Sequence, residues 1–122
     1  MKKLVYCVEV GIVLDKNYEE FDCYTIGDFF DDCYGFYDEN RVLTFDYQQA
    51  IDYAKDYVKN GVINTYAIIH SDIFNFDKKD IKDIENWGYA DDYIFNPTIE
   101  STSLFLLKNE NNKIEKIISK GR

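Results

Sequence analysis

The sequence predicts a single α+β domain, spanning residues 1–122, in which two helices pack on one face of a largely antiparallel sheet. Three observations support this prediction. Residues 4–14 alternate between two faces as a strand does, two segments begin with helix-capping signals, and four polar residues separate two apolar runs near the end of the chain. A length of 122 residues fits one domain with its own core. The predicted order of elements is β(β)β-α-β-α-β-β.

The first predicted strand is long and has one fully buried face. That face carries Leu4, Tyr6, Val8, Val10, Ile12 and Leu14, and the opposite face carries Val5, Cys7, Glu9, Gly11 and Val13. Residues 20–26 also alternate and form a second candidate strand that would pair back onto the first.

The main helix is predicted over residues 46–60. Asp46 is a good N-cap, and Gln49 stands three residues later, in the capping-box position. Gly61 supplies a stop signal. Helical spacing predicts an inward face made of Tyr47, Ala50, Ile51, Ala54, Tyr57 and Val58. Phe45 is placed to form a hydrophobic staple with Ala50.

The second half of the chain predicts a strand, a short helix and a hairpin. Residues 65–70 are apolar on both faces, which is typical of a central strand. Asp77 is the predicted cap of a short helix over 77–87, with Phe76 stapled to Ile81. Residues 103–108 and 113–119 flank the polar turn and form the predicted C-terminal β-hairpin.

Charge is the most informative part of the composition. The chain has 23 acidic and 14 basic residues and a net charge of −9, which opposes direct binding to nucleic acid or anionic membrane and favours a basic partner. Residues 15–40 carry −8 and residues 72–100 carry −5, while the rest of the chain is net positive. We call these two ranges the first and second acidic segments.

The first acidic segment combines nine carboxylates and one lysine with eight aromatic residues. One interpretation is that the aromatics supply core and the carboxylates a solvated rim. The other is an interface in which aromatic anchors are ringed by carboxylates that attract Lys and Arg. In the second interpretation the candidate partner-binding residues of this segment are Glu19, Glu20, Asp22, Asp28, Phe30, Asp31, Asp32, Tyr34, Asp38 and Glu39.

The second acidic segment adds further candidates. Asp77, Asp80 and Asp83 recur every three residues, so they are expected to line one side of the short helix. Asp91 and Asp92 follow beside aromatic residues. Rows of carboxylates can stand in for the phosphates of a nucleic acid and compete for the same basic channel.

Catalytic and metal-binding motifs are absent from the sequence. His70 is the only histidine, and every glycine is isolated, so no phosphate-binding loop can be identified. Cys7, Cys23, Cys33 and His70 lack the paired spacing of structural zinc ligands, and we expect reduced, metal-free thiols. A Cys–His catalytic pair depends on spatial adjacency and stays open. We expect that the protein is not an enzyme and has no cofactor.

In general type, the chain resembles the small acidic inhibitors encoded by phages and mobile elements, including anti-CRISPR proteins and DNA mimics. The resemblance rests on size, on the acidic and aromatic stretches, and on an amino-acid composition rich in Lys, Asn, Ile, Tyr and Asp. It implies a protein that binds the basic surface of a nucleic-acid-binding enzyme or CRISPR effector. It transfers no site residues.

Two other classes remain open. An immunity or antitoxin protein would present the same kind of surface to a basic toxin. A small enzyme would be favoured by a titratable group with a strongly shifted pKa in a concave pocket near His70. The sequence shows neither a secretory signal nor an apolar stretch of about 18 residues, and the expected location is the cytoplasm of a bacterial host cell.

Overall fold

Five strands and two helices are found in the part of the chain that the structure describes. The structure is a computed structural model, and it describes residues 1–13, 36–86 and 101–117, without the side chains of residues 13, 36–40 and 117. The elements in chain order are β1 (Lys2–Val13), β2 (Phe36–Thr44), α1 (Tyr47–Asn60), β3 (Thr65–Asn75), α2 (Lys78–Glu85), β4 (Thr102–Lys108) and β5 (Ile114–Ile117).

The strands form one antiparallel sheet in the order β2-β1-β3-β4-β5. This architecture confirms the predicted α+β class, the central position of β3 and the C-terminal hairpin. β1 pairs with β3 along one edge and with β2 along the other, from Tyr6 to Val13. The candidate strand at residues 20–26 lies outside the described residues.

β1 is buried on both faces, whereas the sequence predicted one. Val8 and Val10 have no exposed surface, and neither do Val5 and Cys7 on the opposite face. Val8 and Val10 pack in the cluster under α1, and Val5 and Cys7 pack in a cluster with Ile84 of α2. Leu4, which the alternation placed on the buried face, is 46% exposed because it lies outside the cluster that α1 forms on that face.

The N-terminus of α1 is capped as the sequence predicted, with one difference in the capping box. Asp46 Oδ1 accepts a 2.9 Å hydrogen bond from the backbone N–H of Gln48. The backbone N–H of Asp46 donates to Thr44 Oγ1 at 3.1 Å, and the Thr44 hydroxyl donates to Gln49 Oε1 at 2.8 Å. Thr44 therefore stands between the two groups that a capping box would join directly.

The predicted inward face of α1 is confirmed. Ala50, Ala54 and Val58 are fully buried, and the half-buried side chains packed around them include Tyr47, Ile51 and Tyr57. They contact one face of the sheet through a cluster that includes Val8, Val10, Ala67, Ile69, Leu104 and Leu106. Burial of this apolar surface is the main source of stability for a helix of this length.

The short helix α2 covers the opposite face, so the two helices do not share a face as expected. Ile84 is buried in a second cluster with Val5, Cys7, Leu43 and Phe76. Phe45 also packs there, with its ring centroid 5.6 Å from that of Phe76, so its expected staple to Ala50 is wrong. Capping signals identify where a helix begins, but the face it covers depends on how the preceding connection turns.

The start of α2 and the hairpin turn follow the sequence prediction. Asp77 caps α2 by accepting a 2.8 Å hydrogen bond from the backbone N–H of Asp80, and Ile81 packs in the same cluster as Phe76. Between β4 and β5, the side-chain oxygen of Asn109 accepts from the backbone N–H groups of Asn111 and Lys113. Asn112 adopts a positive φ of 63°, which asparagine tolerates well.

Candidate functional site

Four polar side chains converge in the middle of the sheet, on the face that α2 partly covers. Cys7 and Glu9 are two residues apart on β1, so they project on the same side. Cys7 pairs across the sheet with His70 of β3, and Glu9 pairs with Arg41 of β2. Because directly opposed residues project on the same side of a sheet, this register brings all four side chains together.

The cluster is buried and closely spaced. Cys7 is 0% exposed, His70 is 1% exposed and Glu9 is 6% exposed. The thiol of Cys7, a carboxylate oxygen of Glu9 and a ring nitrogen of His70 all lie within 4.8 Å of one another. Among the described residues, this is the group of His, Cys and acidic side chains with the spacing of a metal site.

Glu9 is the charged centre of the cluster. Its Oε1 lies 3.1 Å from Arg41 Nη2 and 3.7 Å from His70 Nε2. A buried carboxylate is costly unless a cation and hydrogen bonds compensate for the lost hydration. Arg41 supplies that positive charge, and with 32% of its side chain exposed it also connects the cluster to solvent.

The chemistry open to these groups follows from their types and burial. A thiol beside an imidazole and a carboxylate is the arrangement of a Cys–His nucleophile with an orienting acid. Cys7 has no exposed surface, however, so a substrate cannot reach the sulfur in this conformation. The same three groups are also a thiolate, imidazole and carboxylate donor set for a metal ion.

Most of the sequence-predicted partner-binding residues fall outside the described ranges. These are Glu19, Glu20, Asp22, Asp28, Phe30, Asp31, Asp32, Tyr34, Asp91 and Asp92. Asp38 and Glu39 lie in β2, the outer strand on that side of the five described strands.

Lysines accompany the two aspartates of α2 and the aspartate that caps it. Asp77 is exposed and caps the helix, and Asp80 and Asp83 are half-buried. The helix itself contains three lysines and three acidic residues, so its formal charge is zero. The expected stripe of carboxylates on this helix is therefore neutralised by its neighbours.

The Glu9–Arg41 pair and the position of Cys7 beside His70 were not predicted from the sequence. One signal was present, because Cys7 and Glu9 interrupt the apolar residues on one face of a strand at a spacing of two. Their partners depend on the register of β2 and β3, which the spacing along one strand does not contain.

Charge is unevenly distributed along the sequence. The described ranges sum to −2, whereas residues 14–35 carry −6 and residues 87–100 carry −3. Neither described helix is long and apolar enough to cross a membrane. The chain matches no protein-family model, and no curated protein or solved structure is significantly similar to it.

Proposed function

We propose that this protein is an acidic inhibitor that binds the basic, nucleic-acid-binding surface of a partner protein, in the manner of anti-CRISPR proteins and DNA mimics from phages or mobile elements. The observation that carries the proposal is the separation of charge. A nearly neutral sheet-and-helix scaffold of net charge −2 bears two connecting segments, 14–35 and 87–100, that together carry −9.

This separation favours a binding role over simple solubility. A protein that needs only solubility gains it from charge of either sign spread over its surface. Here residues 14–35 contain seven acidic residues and a single lysine. Repulsion between like charges opposes folding, so a segment selected only for stability would be expected to contain more Lys or Arg. Its charge imbalance therefore indicates another requirement. Attraction of a basic partner is such a requirement, because the segment also carries aromatic side chains suited to anchor an interface.

The residues on either side of positions 14–35 are paired with each other in the sheet. Val13 at the end of β1 pairs with Phe36 at the start of β2, so residues 14–35 leave and rejoin the sheet at neighbouring positions. Segments that connect neighbouring strands are a common location for binding residues. We assign the main role to Asp31, Asp32, Asp38 and Glu39, with Phe30 and Tyr34 as aromatic anchors.

The second acidic segment makes a smaller contribution. Because the formal charge of α2 is zero, we assign this contribution to Asp91 and Asp92 more than to Asp77, Asp80 and Asp83. Residues 87–100 are flanked by Asn86, the C-cap of α2, and by Ser101. The carbonyl of Ser101 accepts a 2.9 Å hydrogen bond from the backbone N–H of Ser71.

The experiment begins with a partner recovered from a bacterial lysate by the tagged protein. Charge reversal of Asp31, Asp32, Asp38 and Glu39 to Lys changes the net charge from −9 to −1. The matched control reverses Asp52, Asp56, Asp72 and Glu110 and changes the net charge by the same amount. These four carboxylates are exposed, lie outside residues 14–40 and are not among the proposed binding residues. Circular dichroism verifies that both variants fold.

We expect the first variant to lose most of its affinity for the partner at low salt and the control variant to keep most of it. Double-stranded DNA or guide RNA should compete with the parent protein for the partner. Equal affinity of the folded first variant and the parent would mean that the acidic segment is a solvated face. A toxin as the recovered partner, with no competition by nucleic acid, would instead identify an immunity protein.

A further inference from the structure

We propose that Cys7, Glu9 and His70 bind a divalent transition-metal ion, with Zn²⁺ as the best fit. This site is independent of the acidic segments and of the proposed inhibitor function. The sequence predicted metal-free thiols because the cysteines lack paired spacing. The structure supplies a different ligand set, in which one strand provides two ligands at positions i and i+2 and the neighbouring strand provides the third.

The spacing of the ligand atoms fits a tetrahedral ion. Zinc lies about 2.0–2.1 Å from a histidine nitrogen and about 2.0–2.2 Å from a carboxylate oxygen, which places these two atoms roughly 3.4 Å apart at a tetrahedral angle. The observed distance between His70 Nε2 and Glu9 Oε1 is 3.7 Å. All three ligand atoms lie within 4.8 Å of one another, so small side-chain rotations bring them onto one ion.

The sheet holds the ligands in place. β1 and β3 are neighbouring interior strands of the sheet, and Cys7 and His70 form a directly opposed pair on them. Sites built on strands are positioned more accurately than sites on loops. Arg41 contacts Glu9 Oε1 at 3.1 Å and thereby orients the carboxylate, as the outer partners of metal-binding carboxylates do.

The donor types select the metal. Calcium and magnesium take oxygen ligands, whereas a thiolate and an imidazole favour zinc and similar ions. On binding, the thiol of Cys7 loses its proton to solvent and the sulfur coordinates the metal. The thiolate and the Glu9 carboxylate then balance the two positive charges of the ion. The charge of Arg41 remains, and its partly exposed side chain keeps that charge hydrated.

The test uses the full chain, stripped of metal by EDTA, and titrated with Zn²⁺ and with Co²⁺ as a spectroscopic probe. We expect one equivalent of metal to bind and to raise the melting temperature, and EDTA to reverse the rise. Bound Co²⁺ should show a thiolate charge-transfer band. The absence of that band in the unmodified protein would overturn the proposal, whatever the variants do.

Substitutions then assign the ligands. Cys7→Ser should abolish the thiolate band, and the matched Cys23→Ser/Cys33→Ser variant should keep it. Loss of the band in the folded Cys23→Ser/Cys33→Ser variant would contradict a site whose only thiolate is Cys7. Survival of the band in folded Cys7→Ser would overturn the assignment.

His70→Gln addresses the case in which Cys7→Ser does not fold. We expect this variant to lower the affinity for Zn²⁺ by at least about 100-fold, beyond the loss typical of an outer-shell partner, while the thiolate band persists at saturating Co²⁺. Unchanged affinity in His70→Gln would exclude the site.

Discussion

The ammonium group of Lys108 on β4 donates a 2.7 Å hydrogen bond to the backbone carbonyl of Lys59 at the end of α1. It donates a second bond, of 2.8 Å, to the carbonyl of Gly61. Lys108 is only 7% exposed, so a buried cation occupies the negative end of the helix dipole and satisfies carbonyls that have no partner within the helix.

Replacing Lys108 by Met should therefore lower the free energy of unfolding by about 2 kcal/mol, because two partly buried backbone carbonyls lose a charged donor. Urea denaturation provides the measurement. The control is Lys116→Met on β5, where the lysine is exposed and the expected change is within about 0.5 kcal/mol. Equal effects of the two substitutions would show that the Lys108 bonds contribute nothing to stability.

Position 61, directly after α1, favours glycine for a steric reason and not for a conformational one. Its φ is −85°, which any residue can adopt, but a Cβ at this position would overlap Thr65 Oγ1 and lie 2.7 Å from Thr65 Cβ. Thr65 is 2% exposed and β-branched, so it cannot easily move away.

We expect Gly61→Ala to destabilise the protein by about 1–3 kcal/mol, as overpacking does. The loss should be smaller in a Thr65→Ala background, where two of the three clashing atoms are gone. Thermal denaturation of the four proteins in this cycle gives the coupling. A stabilisation by Gly61→Ala, of the kind that follows from a less flexible unfolded chain, would contradict the account.

Ala54 tests the packing of α1 on the sheet. It has no exposed surface and lies in the cluster that includes Val8 and Ile69. Ala54→Asp would bury an unpaired charge and should cost several kcal/mol or prevent folding. The neighbouring exposed position provides the control, since Lys55→Asp introduces the same residue in water and should have a much smaller effect. Similar melting temperatures for the two variants would mean that the helix face is misassigned.

The Glu9–Arg41 pair is suited to a double-mutant cycle, performed in EDTA so that no metal contributes. Arg41→Met removes the cation that balances a carboxylate only 6% exposed, and the expected loss is about 3 kcal/mol. Adding Glu9→Gln should restore part of that loss, because the buried charge is then gone. The coupling free energy from urea denaturation should exceed about 1 kcal/mol, and a value near zero would contradict the importance of the pair.

Local features of this fold could be predicted from sequence because they depend on neighbouring residues. The Asp46 cap, the inward face of α1 and the Asn109 turn each arise from side chains a few positions apart. The placement of α2 on the opposite face from α1 could not be predicted, since it depends on how the chain leaves Asn75. The burial of both faces of β1 could not be predicted for the same reason.

The polar cluster shows the limit most clearly. Cys7 and Glu9 are visible as a pair along β1, but His70 is 63 positions from Cys7, and Arg41 is 32 positions from Glu9. Only the strand pairing brings them to the same point, and a shift of one residue in register would turn His70 to the other face.

The most direct test of the inhibitor proposal is the association rate constant with the captured partner, measured as salt is raised from about 50 to about 500 mM, where exposed charges become screened. The parent and the variant reversed at Asp52, Asp56, Asp72 and Glu110 should both associate faster at low salt. The variant reversed at Asp31, Asp32, Asp38 and Glu39 should associate slowly and with little dependence on salt. If the two folded variants, which have the same net charge, associate at the same rate at every salt concentration, the first acidic segment does not direct binding.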